Sequence, residues 1–126
     1  MDEVSRNLAL AEENLSEARL LLEHSYYRGA VSRGYYAMFH AAKALLLMKD
    51  YNPRKHAGVL KILGLEFVKE GYIEETYAKA FKYAFDMRSK ADYNVMVEID
   101  KETAEEIIEE AERFIEAVKK ALQKLT

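Results

Sequence analysis

Three groups of residues have the types and spacing to do chemistry. In "RSKADYN", Arg88 to Asn94, an arginine, an aspartate and a tyrosine close a segment whose inward positions up to there are Tyr77, Phe81, Ala84 and Phe85. On a helix, Arg88 lies four residues after Ala84 and three after Phe85, with Asp92 one turn further on, so a polar pair continues an apolar stripe. A guanidinium aimed into a cleft there can hold a phosphate with its planar fork and stabilise charge in a transition state. The structural alternative is an Arg88–Asp92 ion pair that only closes the end of a bundle.

The second group is Arg33, Tyr36 and His40, which fall within a narrow arc of one helix, opposite its apolar stripe. With a pKa near neutrality, His40 is the chain's natural general base if it faces a cleft. A buried, hydrogen-bonded structural histidine is the alternative. Around this arc stand Ala37, Ala41, Ala44 and Leu47, too apolar for a free face, so another helix or a second subunit is expected to cover it. A homodimer is the economical expectation. The third group is "NPRKHAG", residues 52 to 58, where Arg54, Lys55 and His56 cluster at the expected start of a helix. Basic side chains and free amide donors in one place favour an anion, although such loops are also plain solvated surface. The histidines sit on separate segments without HxxxH or HExxH spacing, so no metal site is expected. No glycine-rich phosphate loop is present either.

These groups must be positioned by helices. Leu8, Ala11, Leu15, Ala18 and Leu22 recur at alternating spacings of three and four, which predicts a first amphipathic helix from Val4 to about His24. Val31, Tyr35, Met38, Phe39, Ala42, Leu45 and Leu46 predict a second, from about Tyr27 to Lys49, stopped by "DYNP". Pro53 is expected to open a third helix that ends at Gly71, with Val59, Leu60, Leu63 and Phe67 as its inner stripe. A fourth runs from about Glu74 to Asp92. The last carries Ile107, Ile108, Ala111, Phe114, Ile115, Val118, Leu122 and Leu125 behind "DKETAEE", where Asp100 or Thr103 can cap. Between them "YNVMVEI" reads as a loop or an extended helix end. The expected fold is all-α, an antiparallel up-and-down bundle of four to five helices.

Composition bounds the function further. A chain of 126 residues is long enough for one core and too short for a second, so residues 1–126 are expected to form a single domain. With no cysteine there is neither a disulfide framework nor a thiolate metal site, and a reducing cytoplasm is the simplest compartment. The run "AKALLLM" is too short to span a bilayer, so no membrane association is expected. A net charge of −3 argues against a nucleic-acid binder that uses its whole surface and leaves room for a local basic patch. The nine tyrosines supply core bulk with a hydroxyl at the boundary, and one or two could stack a base.

In order and spacing, "SRGYYAMFHAAKALL" (32 to 46), "KHAGVLKILGLEFVKEG" (55 to 71) and "RSKADY" (88 to 93) resemble the small stand-alone HEPN-domain proteins of archaea and bacteria. The resemblance implies a helical bundle that dimerises, a minimal nucleotidyltransferase partner of the toxin–antitoxin type, and no cofactor. Active relatives in that superfamily are metal-independent ribonucleases whose signature is an arginine followed, after four to six residues, by a histidine. Two subunits bring their signatures together in one cleft. Arg88 matches the signature arginine, whereas Tyr93 occupies the histidine position. A phenol with a pKa of about 10 is a poor general base at neutrality, so the chain keeps the phosphate-binding half and loses the usual acid–base half. In the related pairs, a tyrosine near the signature can accept an adenylyl group, and Tyr93 is the residue for that role.

The expectation is therefore a module that binds RNA or a nucleotide phosphate through Arg88, with Asp92, Arg33, Tyr36, Lys55 and His56 as further candidate contacts. The alternative is a metal-independent endoribonuclease in which His40 serves as base beside Arg88 and Tyr93. A third reading is a non-catalytic helical dimer, in which replacing Arg88 costs stability and nothing else.

Overall fold

A computed structural model of the chain describes residues 2–126. Among them are α1 (Glu3–Glu23), α2 (Tyr27–Leu47), α3 (His56–Ile62) continued by a π-helical segment (Leu63–Val68), α4 (Glu75–Tyr93) and α5 (Lys101–Leu125). No strand occurs among the described residues. Asp2 caps α1 by accepting from the Ser5 amide at 2.7 Å, and Asp100 caps α5 by accepting from the Thr103 amide at 2.8 Å, each satisfying a donor the helix start leaves free.

Side-chain pairs set the directions. Across α1 and α2, Asn7 meets His40 and Asn14 meets Arg33. Across α1 and α5, Glu12 pairs with Lys119 at 2.6 Å and Arg19 with Glu112 at 2.9 Å. In both cases numbers rise on one helix as they fall on the other, so α1 is antiparallel to α2 and α5. Arg28, at the start of α2, donates to the carbonyls of Ala91 and Asn94, while Tyr35 further along stacks with Phe81, so α2 and α4 are antiparallel too. The long helices form an up-and-down bundle.

The centre of the bundle is α2. Ala37, Ala41 and Ala44 are fully buried along with Tyr35, Met38, Leu45 and Leu46, so this helix is covered nearly all round. The cover that the sequence demanded for the alanine side comes from within the chain, and that face offers no argument for a second subunit. Where α2 meets α5, a Cβ added at Gly34 would come within 2.8 Å of Ile107 Cγ2. Ile107 is fully buried and β-branched, with little rotamer freedom to retreat. Gly34→Ala is expected to destabilise the fold by about 1–2 kcal/mol in urea unfolding, the overpacking cost exceeding the gain in helix propensity. An unchanged or raised midpoint would show that the helices have slack here.

Two expected boundaries shift. Pro53 does not open the third helix, which starts at His56. Lys43 Nζ donates to the Pro53 carbonyl at 2.7 Å and to the Asn52 side chain, tying that stretch against α2 instead of letting it wind. The segment up to Gly71 is not one regular helix either. Lys49 Nζ donates to the Glu66 carbonyl at 2.9 Å and lies 4.9 Å from both the Phe67 and Tyr72 rings, where the backbone runs as a π-helix. Gly71 then turns the chain at φ +84, a conformation that glycine adopts without steric cost.

Candidate anion-binding site

The last two turns of α4 carry the most unusual side chain in the molecule. Arg88 follows Phe81, Ala84 and Phe85 along the inner face, and its side chain is only 13% exposed. Its guanidinium carbon lies 5.1 Å from the Tyr35 ring, 5.4 Å from those of Tyr36 and Phe85, and 6.0 Å from that of Tyr93. A weakly hydrated, planar cation is the charged group best suited to such an aromatic box. The polar partnering is poor by comparison. Asp92 Oδ2 is 3.4 Å from Nη1, and Nε is buried with no hydrogen-bond partner among the described residues. Burial works against the charge, but the Tyr36 and Tyr35 oxygens and the Asp92 carboxylate outweigh it and hold the pKa above its usual value. Arg88 is thus a fixed cation with donor capacity to spare.

Tyr93, the last residue of α4, joins this box within one chain. Its ring reaches back along the last turn to within 6.0 Å of the Arg88 guanidinium carbon. Its ring is 78% exposed and is followed by Val95 at 92% and Met96 at 86%, so an apolar hook projects beside Asp92. Asn94 shapes the hook by accepting from the Met96 amide at 3.1 Å.

The basic cluster at the start of α3 is split by the fold. Arg54 and Lys55 face solvent, while His56 turns inward. The His56 ring stacks on Phe85 at 3.8 Å, lies 4.8 Å from Phe81, and shares a 3.2 Å hydrogen bond through Nδ1 with the Tyr35 hydroxyl. Tyr35, which the sequence offered only as core bulk, is therefore the link between His56 and the Arg88 box. Burial pushes its phenol up to about 12, in spite of Arg88.

Burial also pushes His56 down to about 4, with Asp86 opposing and Arg88 and Lys82 adding to the shift. Because the folded value lies below the unfolded value of about 6.5, only the unfolded chain takes up this proton as pH falls through the interval between them. Stability is then lost as pH drops from about 6.5 to about 4, on the order of 2–3 kcal/mol after allowance for partial exposure. Between pH 7 and 5, wild type is expected to lose more stability than His56→Gln. Equal slopes would show that His56 is protonated in the folded state as easily as in the unfolded one.

The second group gathers on the other side of Tyr36. Arg33, Tyr36 and His40 line a groove between α1 and α2 with Leu10, Glu13, Asn14 and Glu17, a space of about 380 Å³. Two α1 residues that periodicity did not single out build its floor and its back. Asn14, 6% exposed, donates to the Leu10 carbonyl and receives Arg33 Nη1 at 3.5 Å. Asn7 donates its amide to the Glu3 carbonyl at 2.9 Å, which leaves its oxygen to face His40 Nδ1 at 3.0 Å. Nδ1 must then carry the proton, and Nε2 is the bare nitrogen. Burial, aided by Lys43, holds the His40 pKa below its usual value. Asn7 and Asn14 stand seven residues apart on one helix face, a spacing that could have flagged them.

Tyr36 is the wall common to both places, touching Arg88 on one side and lining the His40 groove on the other. The fold therefore brings Arg88, Asp92, Tyr93 and Tyr36 together, sets Arg33 and His40 behind Tyr36, and leaves Lys55 outside. A larger cavity, about 610 Å³, lies between the start of α4 and α5, at the other end of α4 from Arg88. Its lining, including Glu74, Glu109, Glu112, Arg113 and Lys120, contains none of these groups. Among the described residues, no three His, Asp or Glu side chains gather as metal ligands, and no helix is long and apolar enough to cross a membrane.

An up-and-down bundle with a largely buried arginine near the end of its fourth helix defines a class, and the model of the HEPN domain matches residues 4–121. The chain belongs to the HEPN-domain family. A Methanocaldococcus jannaschii protein named "Putative toxin MJ0605" is 52% identical over 98% of this chain and 92% of its own length. A second from that organism, "Putative toxin MJ0142", is 38% identical over 95% of this chain and 82% of its own. The crystal structure of TT1696 from Thermus thermophilus superposes with a TM-score of 0.83 at 20% identity, covering 96% of this chain and 99% of that one, which shows the shared fold.

Proposed function

We propose that this protein is a toxin-type HEPN module that binds the phosphate of an RNA or nucleotide at Arg88 and works with a minimal nucleotidyltransferase partner in the cytoplasm. The carrying observation is the Arg88 guanidinium: its Nε is buried and unpartnered, its Asp92 contact is long, and it is held in place by four rings. A phosphate oxygen can be held by the Nη end of the guanidinium, where the Asp92 contact is long, and the charge is already fixed there. The toxin names of two relatives support the process assigned here. The exposed hook of Tyr93, Val95 and Met96 supports a homodimer in which two such sites share a cleft. Tyr93, accessible and beside the cation, is the residue on which a nucleotidyltransferase would place an adenylyl group. Titrating wild type with inorganic phosphate and with AMP should move the Arg88 Nε–H resonance. Silence of that resonance at millimolar ligand would end the anion-binding reading.

One observation favours a second reading, the metal-independent endoribonuclease. With Nδ1–H engaged by Asn7, His40 keeps a bare Nε2, the protonation state a general base requires, and lines a groove together with the Tyr36 ring that touches Arg88. RNA cleavage in EDTA by wild type, lost in both Arg88→Ala and His40→Ala with folding intact, would establish it. No cleavage by wild type leaves the binding module.

A further inference from the structure

Building on the Arg88 reading, we infer that the groove between α1 and α2 is a base-binding subsite for guanine, continuous with the phosphate site at Arg88 through Tyr36. The groove holds opposite charges that do not neutralise one another. Glu12 and Arg19 of α1 reach across to α5 and form ion pairs at 2.6 and 2.9 Å. Glu13 and Glu17, one turn apart on α1, share the groove with Arg33 of α2, yet among the described residues none of the three is in an ion pair. The one hydrogen bond Arg33 makes there goes to the amide oxygen of buried Asn14, at 3.5 Å. One wall thus offers a guanidinium fork and the other offers carboxylates, and His40 lines the same groove.

A ligand that fits must present acceptors to α2 and donors to α1. Guanine alone among the four bases has an edge of two acceptors, O6 and N7, and an edge of two donors, N1–H and N2–H. Arginine paired in two-pronged fashion with O6 and N7 is the commonest specific contact to a base, and free bases are read on these edges in single-stranded RNA. Adenine sets its amino group against the arginine, cytosine lacks the donor pair, and uracil lacks both pairs. The Tyr36 ring gives the base an aromatic wall. Because the same ring touches Arg88, a guanine nucleotide seated in the groove would point its phosphate toward that cation.

The test is an NMR titration of the full chain with guanosine, adenosine, GMP, AMP and inorganic phosphate, following the His40 ring and the Arg88 Nε–H. GMP is expected to bind at least about tenfold more tightly than AMP, the scale of one good two-pronged contact. Guanosine should shift His40 without moving Arg88. Arg33→Gln, at a solvent-facing position, should lower GMP to the affinity of AMP and leave the phosphate response at Arg88 intact. Equal affinity for GMP and AMP overturns the subsite, as does an Arg33→Gln loss shared by all ligands. If phosphate still moves Arg88 in those cases, the Arg88 reading survives. A guanosine shift at His40 without any phosphate response overturns the Arg88 reading and leaves the base subsite standing. An oligoribonucleotide with a single guanine, used in place of GMP, tells RNA from free nucleotide as the source.

Discussion

Arg88→Gln is expected to weaken phosphate or nucleotide binding on the order of 100-fold while costing the fold little. Two charge-assisted hydrogen bonds and a fixed positive charge vanish together, a loss of about 3 kcal/mol. Stability should fall by no more than about 1 kcal/mol, because the lost contacts with four rings are offset by relief from burying a charge whose Nε has no partner. Arg88→Lys should recover only part of the affinity, since a point charge cannot reproduce the planar fork. Calorimetric titration with AMP alongside urea unfolding separates the two quantities. The reading as a purely structural dimer requires the reverse pattern, lost stability with no binding to lose.

The largest stability effect should come from Phe81→Ala, at about 3–5 kcal/mol. The Phe81 ring is fully buried, lies parallel to Tyr35 at 5.7 Å, and is 4.8 Å from His56 and 5.8 Å from Phe114. It joins α4 to α2, α3 and α5 at once, so the surrounding helices cannot all close on the space it leaves. Removing it also opens the pocket that keeps His56 uncharged. The His56 pKa should rise toward about 6.5 in the variant, and the loss of stability between pH 7 and pH 5 should shrink. Urea midpoints at those two pH values, with an NMR titration of the His56 ring, check both parts. A loss below about 1 kcal/mol would mean the aromatic seam repacks far more readily than buried phenylalanines generally do.

Much of this protein was legible in its residues. Apolar spacing placed three long helices to within a residue or two of Glu3–Glu23, Tyr27–Leu47 and Glu75–Tyr93 and marked the buried stripe of Lys101–Leu125, because each buries a continuous stripe and the stripe is a local property. The same spacing put Arg88 on the buried face and Asp92 beside it, since both follow from one helix's period. A cap at Asp100 or Thr103, of which Asp100 is the one that forms, and "YNVMVEI" as a loop or an extended helix end are likewise local. Periodicity is silent where a distant contact decides. Pro53 sits outside α3 because Lys43, ten residues earlier, holds its carbonyl. His56 looked like a neighbour of Lys55 and is instead a partner of Tyr35 and Phe85, turned inward by stacking that no local pattern encodes. The alanine side of α2 was legible as covered, but not by what.

The sequence alone therefore determined the helices, the inward direction of Arg88, and the absence of a histidine from the position Tyr93 holds. Only the tertiary structure decided which side chains surround them. It closed four rings around one guanidinium, fixed the proton of His40 through Asn7, and made Tyr36 the shared wall between two places that lie far apart along the chain. The physical reason is range. Helix period and capping act over a few residues, whereas burial, stacking and the choice of hydrogen-bond partner depend on which helix faces arrive opposite one another.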